Sequence, residues 1–166
     1  KEAEKLTTLK KLISCGEQLT AELAMKWFSN FPDVPIINAY GPAEASDDVT
    51  AHVIDKNFNK EKKIIPIGKP LDNVHMYVLD KYGQLTPIGV QGEICISGIS
   101  VGKGYLNEPE KTRKVFVPNQ FQEAIKDKKE DHDVIYKTGD LGYWNSEGHI
   151  TFKGRKDFMV KIRGVR

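Results

Sequence analysis

Apolar and polar positions fall into two textures along the chain. Over residues 9 to 15 the run Leu-Lys-Lys-Leu-Ile-Ser-Cys ends at Gly16 and predicts a short buried strand opening into a turn. Thr20 then stands as a candidate N-cap, and Leu23, Ala24, Trp27 and Phe28 recur at helical spacing, predicting a helix with one apolar face to about Asn30. Pro32 and Pro35 punctuate its exit, and Val34, Ile36 and Ile37 form a second apolar run. Strand, helix and strand in that order predict a βαβ unit with parallel strands, in which ligand loops commonly follow the strand ends.

The second strand empties into a polar loop, Asn38-Ala39-Tyr40-Gly41-Pro42-Ala43-Glu44, continuing to Asp48. Residues 55 to 63 are polar and read as a solvated connection. From Ile64 onward short β-type runs alternate with Gly, Pro and Asp: Val74 to Leu79, Gly92 to Ser97, Val134 to Lys137, His149 to Phe152 and Phe158 to Ile162. Asp80 to Gly83 and Asn145 to Gly148 carry the turn residues of hairpin connections, and the charged stretch Gln120 to His132 reads as a surface loop or short exposed helix. The fold class expected is α/β plus β: a βαβ lobe over residues 1–60, then a β-rich, barrel-like lobe over 61–156. Residues 160 to 166 alternate like a strand up to the final position, as though the pattern were interrupted.

Composition narrows the classes. With 39% hydrophobic and 29% charged residues the chain reads as an ordinary folded domain. Twenty-five basic against 23 acidic residues leave a formal charge of +2, too small to make nucleic acid or an anionic membrane the main partner. No apolar stretch approaches the roughly 18 residues of a membrane span, and the charged start Lys1-Glu2-Ala3-Glu4-Lys5 is unlike a signal sequence, so a cytoplasmic protein is expected. Cys15 and Cys95 each lie in an apolar run and read as buried free thiols. The four histidines show no ligand-pair spacing.

Four segments offer chemistry. Gly98 to Leu106 is Gly-rich, but it is one residue short of a phosphate-binding P-loop and has Gly104 where that loop needs a hydroxyl, so on spacing it reads as a tight turn leaving a strand. Asn38 to Glu44 presents an amide, an aromatic face and a carboxylate, which suit a base, its edge and a magnesium-bound phosphate; a polar turn with a half-buried Tyr40 explains the same residues. Tyr136-Lys-Thr-Gly-Asp140-Leu sets a carboxylate after a strand and a Gly turn, as a ribose diol acceptor or a turn-stabilising Asp. Gly154-Arg155-Lys-Asp157 adds a cation for sugar or phosphate oxygens, or a surface ion pair.

In this order, the segments Asn38 to Glu44, Gly92 to Gly98 with Gly102 to Leu106, Tyr136 to Leu141, and Gly154 to Asp157 with Val160 to Gly164 resemble the adenylate-forming superfamily, and most closely the adenylation domains of nonribosomal peptide synthetases. The resemblance covers about Leu9 to Arg166 and implies a partial large subdomain, with 157–166 as the hinge and the start of a C-terminal subdomain. It implies ATP and Mg2+ as cofactors, an amino acid as substrate, and pantetheine on a peptidyl carrier protein domain as acceptor. Glu44 would help bind magnesium. Tyr40 would stack on adenine, Asn38 and Ala39 would read the base, and Gly16 and Gly41 would lie at the nucleotide pocket. Asp140 would hold the ribose hydroxyls with Arg155 assisting, and Phe152 would pack nearby. Ile13, Cys15, Ala39, Asp47 and Asp48 would line the acyl pocket, Asp157 would be the hinge, and Lys161 and Gly164 would follow it.

Two departures qualify this. Ala43 stands where the family usually has a phosphate-contacting Thr, and no residue here matches the family's terminal lysine, its Ser/Thr/Gly-rich phosphate loop or its Asp for the substrate amino group. The resemblance thus implies an incomplete piece, inactive by itself. An acyl coenzyme A ligase in the same superfamily is the nearest rival, and a noncatalytic remnant is the rival from another class. If Asp47 or Asp48 points inward, a cationic or donor-bearing amino acid side chain is expected, since an unpaired buried carboxylate is costly.

Overall fold

The computed structural model describes residues 8–61, 63–124 and 133–157. Strand β1 (Leu12–Ser14), helix α1 (Ala21–Asn30) and strand β2 (Ile36–Tyr40) form the expected βαβ unit, with β1 parallel to β2. Thr20 caps the helix, its Oγ1 accepting from Leu23 N at 3.2 Å. The buried positions of α1 are Ala21, Ala24 and Phe28, with Trp27 packed partly buried against the same core, so the expected apolar face holds except at Leu23, which is 55% exposed. The Trp27 indole donates to the Val34 carbonyl at 2.9 Å across the helix exit.

The strand expected to be buried over residues 9–15 is shorter and more open. Ile13 is 61% exposed and Cys15 is exposed, because β1 is the edge strand and α1 packs on the other face. Two further strands, absent from the sequence reading, extend this sheet: β3 (Thr50–Ile54) and β4 (Lys69–Pro70), in the order β1-β2-β3-β4. Its core joins Leu19, Ala24, Phe28, Ile36, Ile54 and Ile65.

The second sheet is antiparallel and follows the order β5-β6-β8-β7, with β9 paired to β8. Its strands are β5 (Val74–Leu79), β6 (Gly92–Gly98), β7 (Phe116–Pro118), β8 (Val134–Trp144) and β9 (Ile150–Arg155). A short helix, α2 (Pro109–Val115), precedes β7 and was not anticipated; it buries none of its residues and so carries no apolar stripe to read. Central strand β6 is covered on both faces, with Ile94, Cys95, Ile96 and Ser97 all fully buried. Burial, assisted by the nearby Glu93 charge, pushes the Cys95 thiol up to about 12. The Asn145–Gly148 turn is a true hairpin between β8 and β9, its Asn145 Oδ1 accepting from Glu147 N and His149 N.

One expectation fails within β8. The Thr138-Gly139-Asp140 segment is not a turn after the strand but part of it. The register slips between Cys95↔Lys137 and Glu93↔Leu141, and Gly139 takes φ +74 to absorb the extra residues. The principal core lies where the sheets meet: Ala45 and Val49 from the loop after β2 pack with Ile67, Met76, Ile94, Ile96, Tyr136 and Ile150. Ile67 N donates to Ile150 O at 2.9 Å and Ile150 N to Gly68 O at 2.8 Å, lacing the two sheets by backbone. No helix among the described residues is long and apolar enough to cross a membrane.

Candidate functional site

The polar loop leaves β2 at Tyr40 and folds back at once. Val49 N donates to Tyr40 O at 2.8 Å, and Ala43–Ala45 form a single 3-10 turn between them. Gly41 permits this, since a Cβ there would lie 1.4 Å from the Asp47 carbonyl oxygen. Ser46 and Asp47 both adopt left-handed backbone, at φ 59 and 73, to complete the reversal.

Across from this loop, β8 and β9 present Asp140 directly opposite Arg155 in the strand register. Asp140 is 7% exposed. Its Oδ2 accepts from the Tyr40 hydroxyl at 2.6 Å and its Oδ1 from Arg155 Nη1 at 2.9 Å. Arg155 also donates to the Thr138 carbonyl at 2.9 Å, and its Nε and Nη2 grip both oxygens of Asp157 at 2.9 and 3.0 Å. Gly139 leaves the guanidinium room, for a Cβ there would stand 2.9 Å from Nη2. The Phe152 ring lies 6.1 Å from that of Tyr40. The fold thus brings Tyr40, Asp140, Phe152, Arg155 and Asp157 together from three strands and the end of the last.

The electrostatics follow from burial and pairing. Burial first, then the Asp140 charge, raises the Tyr40 hydroxyl well above the ordinary tyrosine range, keeping it protonated as a donor. The hydrogen bonds that Arg155 donates to Asp157 raise its guanidinium further, against a lowering by burial and with help from Asp140. A carboxylate oxygen can accept more than one hydrogen bond, so the present donor to each Asp140 oxygen does not exhaust its acceptor capacity.

Glu44 stands on the 3-10 turn, half-buried, with Oε1 accepting from the Tyr105 hydroxyl at 2.7 Å. Among the described residues no group of three or more His, Cys, Asp or Glu is arranged around a metal position. The donor set at Glu44 is thus a single carboxylate, and Mg2+ is the kind of ion that one or two carboxylates hold together with waters and substrate phosphates.

Other expected site residues lie elsewhere. Asn38 is 2% exposed and its amide donates to Pro66 O at 2.8 Å and Ile65 O at 3.4 Å, tying β2 to the chain that enters β4. Ile13 and Ala39 share the face of the first sheet opposite Asn38 and Tyr40, and Cys15 follows just past β1. Ala39 is buried on that face, at 7% exposure. Gly16 has φ +83 and open space around its Cβ position. Asp47 is exposed, whereas Asp48 is half-buried, with Oδ1 lacking a hydrogen-bond partner among the described residues; burial and the Asp47 charge raise its carboxyl. Lys161, Gly164 and the strand expected over 158–162 lie outside the described residues, as does 125–132 of the charged stretch. Sequence reading missed Tyr105 and Thr138. The Gly102-x-Gly104-Tyr105 spacing was the available signal for the first; by spacing it reads as a turn, and it also belongs to the segments that carry the family resemblance.

Comparison with known proteins gives the setting. Bacitracin synthase 1 of Bacillus licheniformis is 41% identical over 160 residues, covering 95% of this chain and 3% of the relative. Tyrocidine synthase 3 of Brevibacillus parabrevis is 41% identical over 159 residues, covering 96% of this chain and 2% of the relative. Among solved structures, PA1221, a nonribosomal peptide synthetase protein containing adenylation and PCP domains, superposes with a TM-score of 0.83 at 28% identity, over 96% of this chain and 31% of its own. The Vibrio cholerae adenylation domain AlmE, in complex with glycyl-adenosine-5'-phosphate, gives 0.81 at 29% identity, over 98% of this chain and 29% of its own. The two sheets therefore match part of an adenylation-domain large subdomain, and the chain spans a small share of its curated relatives and under a third of these structures. A family model described as AMP-binding enzyme matches residues 1–106, well over half of the sequence, and the chain belongs to that family.

Proposed function

We propose that this chain is the nucleotide-holding part of an adenylation domain that activates an amino acid. The reaction joins the amino acid carboxylate to the α-phosphate of ATP, releases pyrophosphate, and leaves an aminoacyl adenylate. The aminoacyl group then passes to the pantetheine thiol of a carrier domain. The observation that carries this reading is the Tyr40–Asp140–Arg155 cluster, in which a buried carboxylate is fixed by two donors at the meeting of the two sheets.

Asp140 accepts the ribose hydroxyls through its remaining lone pairs, while Arg155 holds its orientation. Tyr40 and Phe152 supply the aromatic surface beside the base. The Asn38 amide fixes the segment at Ile65 and Pro66 that lies beside the base, and the Ala39 backbone, Gly16 and Gly41 complete the pocket. Glu44 would hold Mg2+ as one carboxylate ligand, and when bound with ATP the ion offsets phosphate charge as the substrate carboxylate attacks. Ile13, Cys15, Ala39, Asp47 and Asp48 line the acyl side, and the orphaned Asp48 oxygen favours a substrate bearing a donor or cation. Arg155 bridges Asp140 to Asp157, so the hinge residue is held by the cation that serves the ribose carboxylate.

The carrier domain as partner is supported by PA1221, whose own chain contains adenylation and PCP domains. A cytoplasmic setting, where ATP is supplied, belongs to the same reading, as do a hinge at 157 and a division into lobes, moved from about residue 60 to beyond β4 because Lys69–Pro70 pairs within the first sheet. Loading of a radiolabelled amino acid, by the adenylation domain that carries these residues, tests it: label on a carrier domain supports the reading, and label on free coenzyme A alone would favour an acyl coenzyme A ligase.

A further inference from the structure

The Gly-rich run after β6 is tied to the loop after β2 at three separate points. Gly102 N donates to the Glu44 carbonyl at 2.9 Å, Ser46 Oγ donates to the Ser100 carbonyl at 2.9 Å, and the Tyr105 hydroxyl donates to Glu44 Oε1 at 2.7 Å. The run is itself rigidly built. Gly98 ends β6 at φ +116, and Gly104 at φ +130 brings the chain so near Thr112 that a Cβ there would meet Thr112 Cγ2 at 2.4 Å. That approach lets Thr112 Oγ1 accept from Tyr105 N at 2.9 Å. The Tyr105 ring is held between Lys111, whose ammonium sits 4.3 Å from the centroid, and the edge-on ring of Phe116 at 5.7 Å. A turn that merely left a strand would need none of these long-range contacts.

We infer that residues 98–105 are a clamp whose Tyr105 hydroxyl is the positioning residue for Glu44, setting the direction of its carboxylate toward the magnesium–phosphate end of the nucleotide. The inference rests on the proposed role of Glu44. Fixing one carboxylate oxygen by a charge-assisted hydrogen bond removes the rotamer freedom that an isolated glutamate on a three-residue turn would keep. Binding the ion then costs less ordering, as it does for metal ligands oriented by their neighbours. Tyr105 acts in this inference only through its hydrogen bond to Glu44.

The test uses the intact adenylation domain that carries this segment, with ATP binding followed calorimetrically across a MgCl2 series and without Mg2+. Tyr105→Phe keeps the ring and its packing and removes only the donor. The expected result is a requirement for roughly tenfold more Mg2+ to reach half-maximal ATP affinity, with Mg2+-free ATP binding and amino acid KM unchanged. Gly102→Ala, whose Cβ would stand 3.1 Å from the Glu44 carbonyl, displaces the same residue from the other side and shifts the Mg2+ requirement in the same direction. It serves if Y105F is too unstable to assay. Glu44→Gln separates the two layers. If E44Q shifts the Mg2+ requirement and neither folded clamp variant does, the clamp is overturned alone; if E44Q shifts nothing, the role of Glu44 falls and the clamp with it.

Discussion

The hydroxyl of Tyr40 donates a 2.6 Å hydrogen bond to Oδ2 of Asp140, 100 residues further along the chain, joining the end of β2 to the irregular middle of β8. Because Arg155 takes the other oxygen from the opposite strand, one buried carboxylate ties together both sheets and the approach to Asp157.

Tyr40→Phe removes the donor while keeping the ring. A hydrogen bond to a charged, buried group is worth about 1.5–3 kcal/mol, and denaturant unfolding of the domain should show a loss in that range. The pH dependence has a definite sign. The folded-state hydroxyl titrates well above the ordinary value of 10.0, so the unfolded chain gives up this proton first and wild type loses stability as pH rises past that value. Y40F lacks this term, so the gap between the two proteins narrows in strong alkali.

Arg155→Lys tests the shared cation. Arginine reaches Asp140, the Thr138 carbonyl and both oxygens of Asp157 at once, whereas lysine offers a compact charge that cannot span them. ATP affinity should fall by roughly tenfold. Transfer to the carrier should fall by a different factor from adenylate formation, because Asp157 is released as well; equal losses in both half-reactions would separate Asp157 from domain movement.

Ala43→Thr restores a hydroxyl on the first residue of the turn that holds Glu44, a position exposed in the present fold and free to accept a larger side chain. One added charge-assisted hydrogen bond to phosphate predicts a gain of about tenfold in kcat/KM for ATP with little change in melting temperature. No gain would mean that the turn does not face the phosphates.

Parts of this were legible in the sequence and parts were not, for physical reasons. β5 reads directly from its alternation and its Asp-Lys-Tyr-Gly exit, and Thr20 from its place before an apolar stripe. β3 is hidden because Thr50 and His52 turn inward with Ile54, so the inner face carries polar residues and the usual alternation is blurred. Cys15 and Ile13 look like core by composition, yet which face of an edge strand is covered depends on neighbours that local sequence does not name. The site motifs were visible as chemistry, but the link from Tyr40 to Asp140 was not, since no local pattern encodes a contact across 100 residues. Gly102 to Tyr105 was visible as a motif, but its hydrogen bonds to Glu44 were not, since they reach a loop more than 50 residues earlier.

The most direct measurement is amino-acid-dependent ATP–pyrophosphate exchange by the adenylation domain that carries these residues, run over a panel of amino acids with Asp140→Ala as the control. Exchange should depend on one or a few amino acids, with donor-bearing or cationic side chains preferred, and should fall by at least about tenfold in D140A. A folded domain that binds ATP yet exchanges with no amino acid, or exchanges equally well without Asp140, would contradict the assignment of this cluster to the nucleotide site of an amino-acid-activating enzyme.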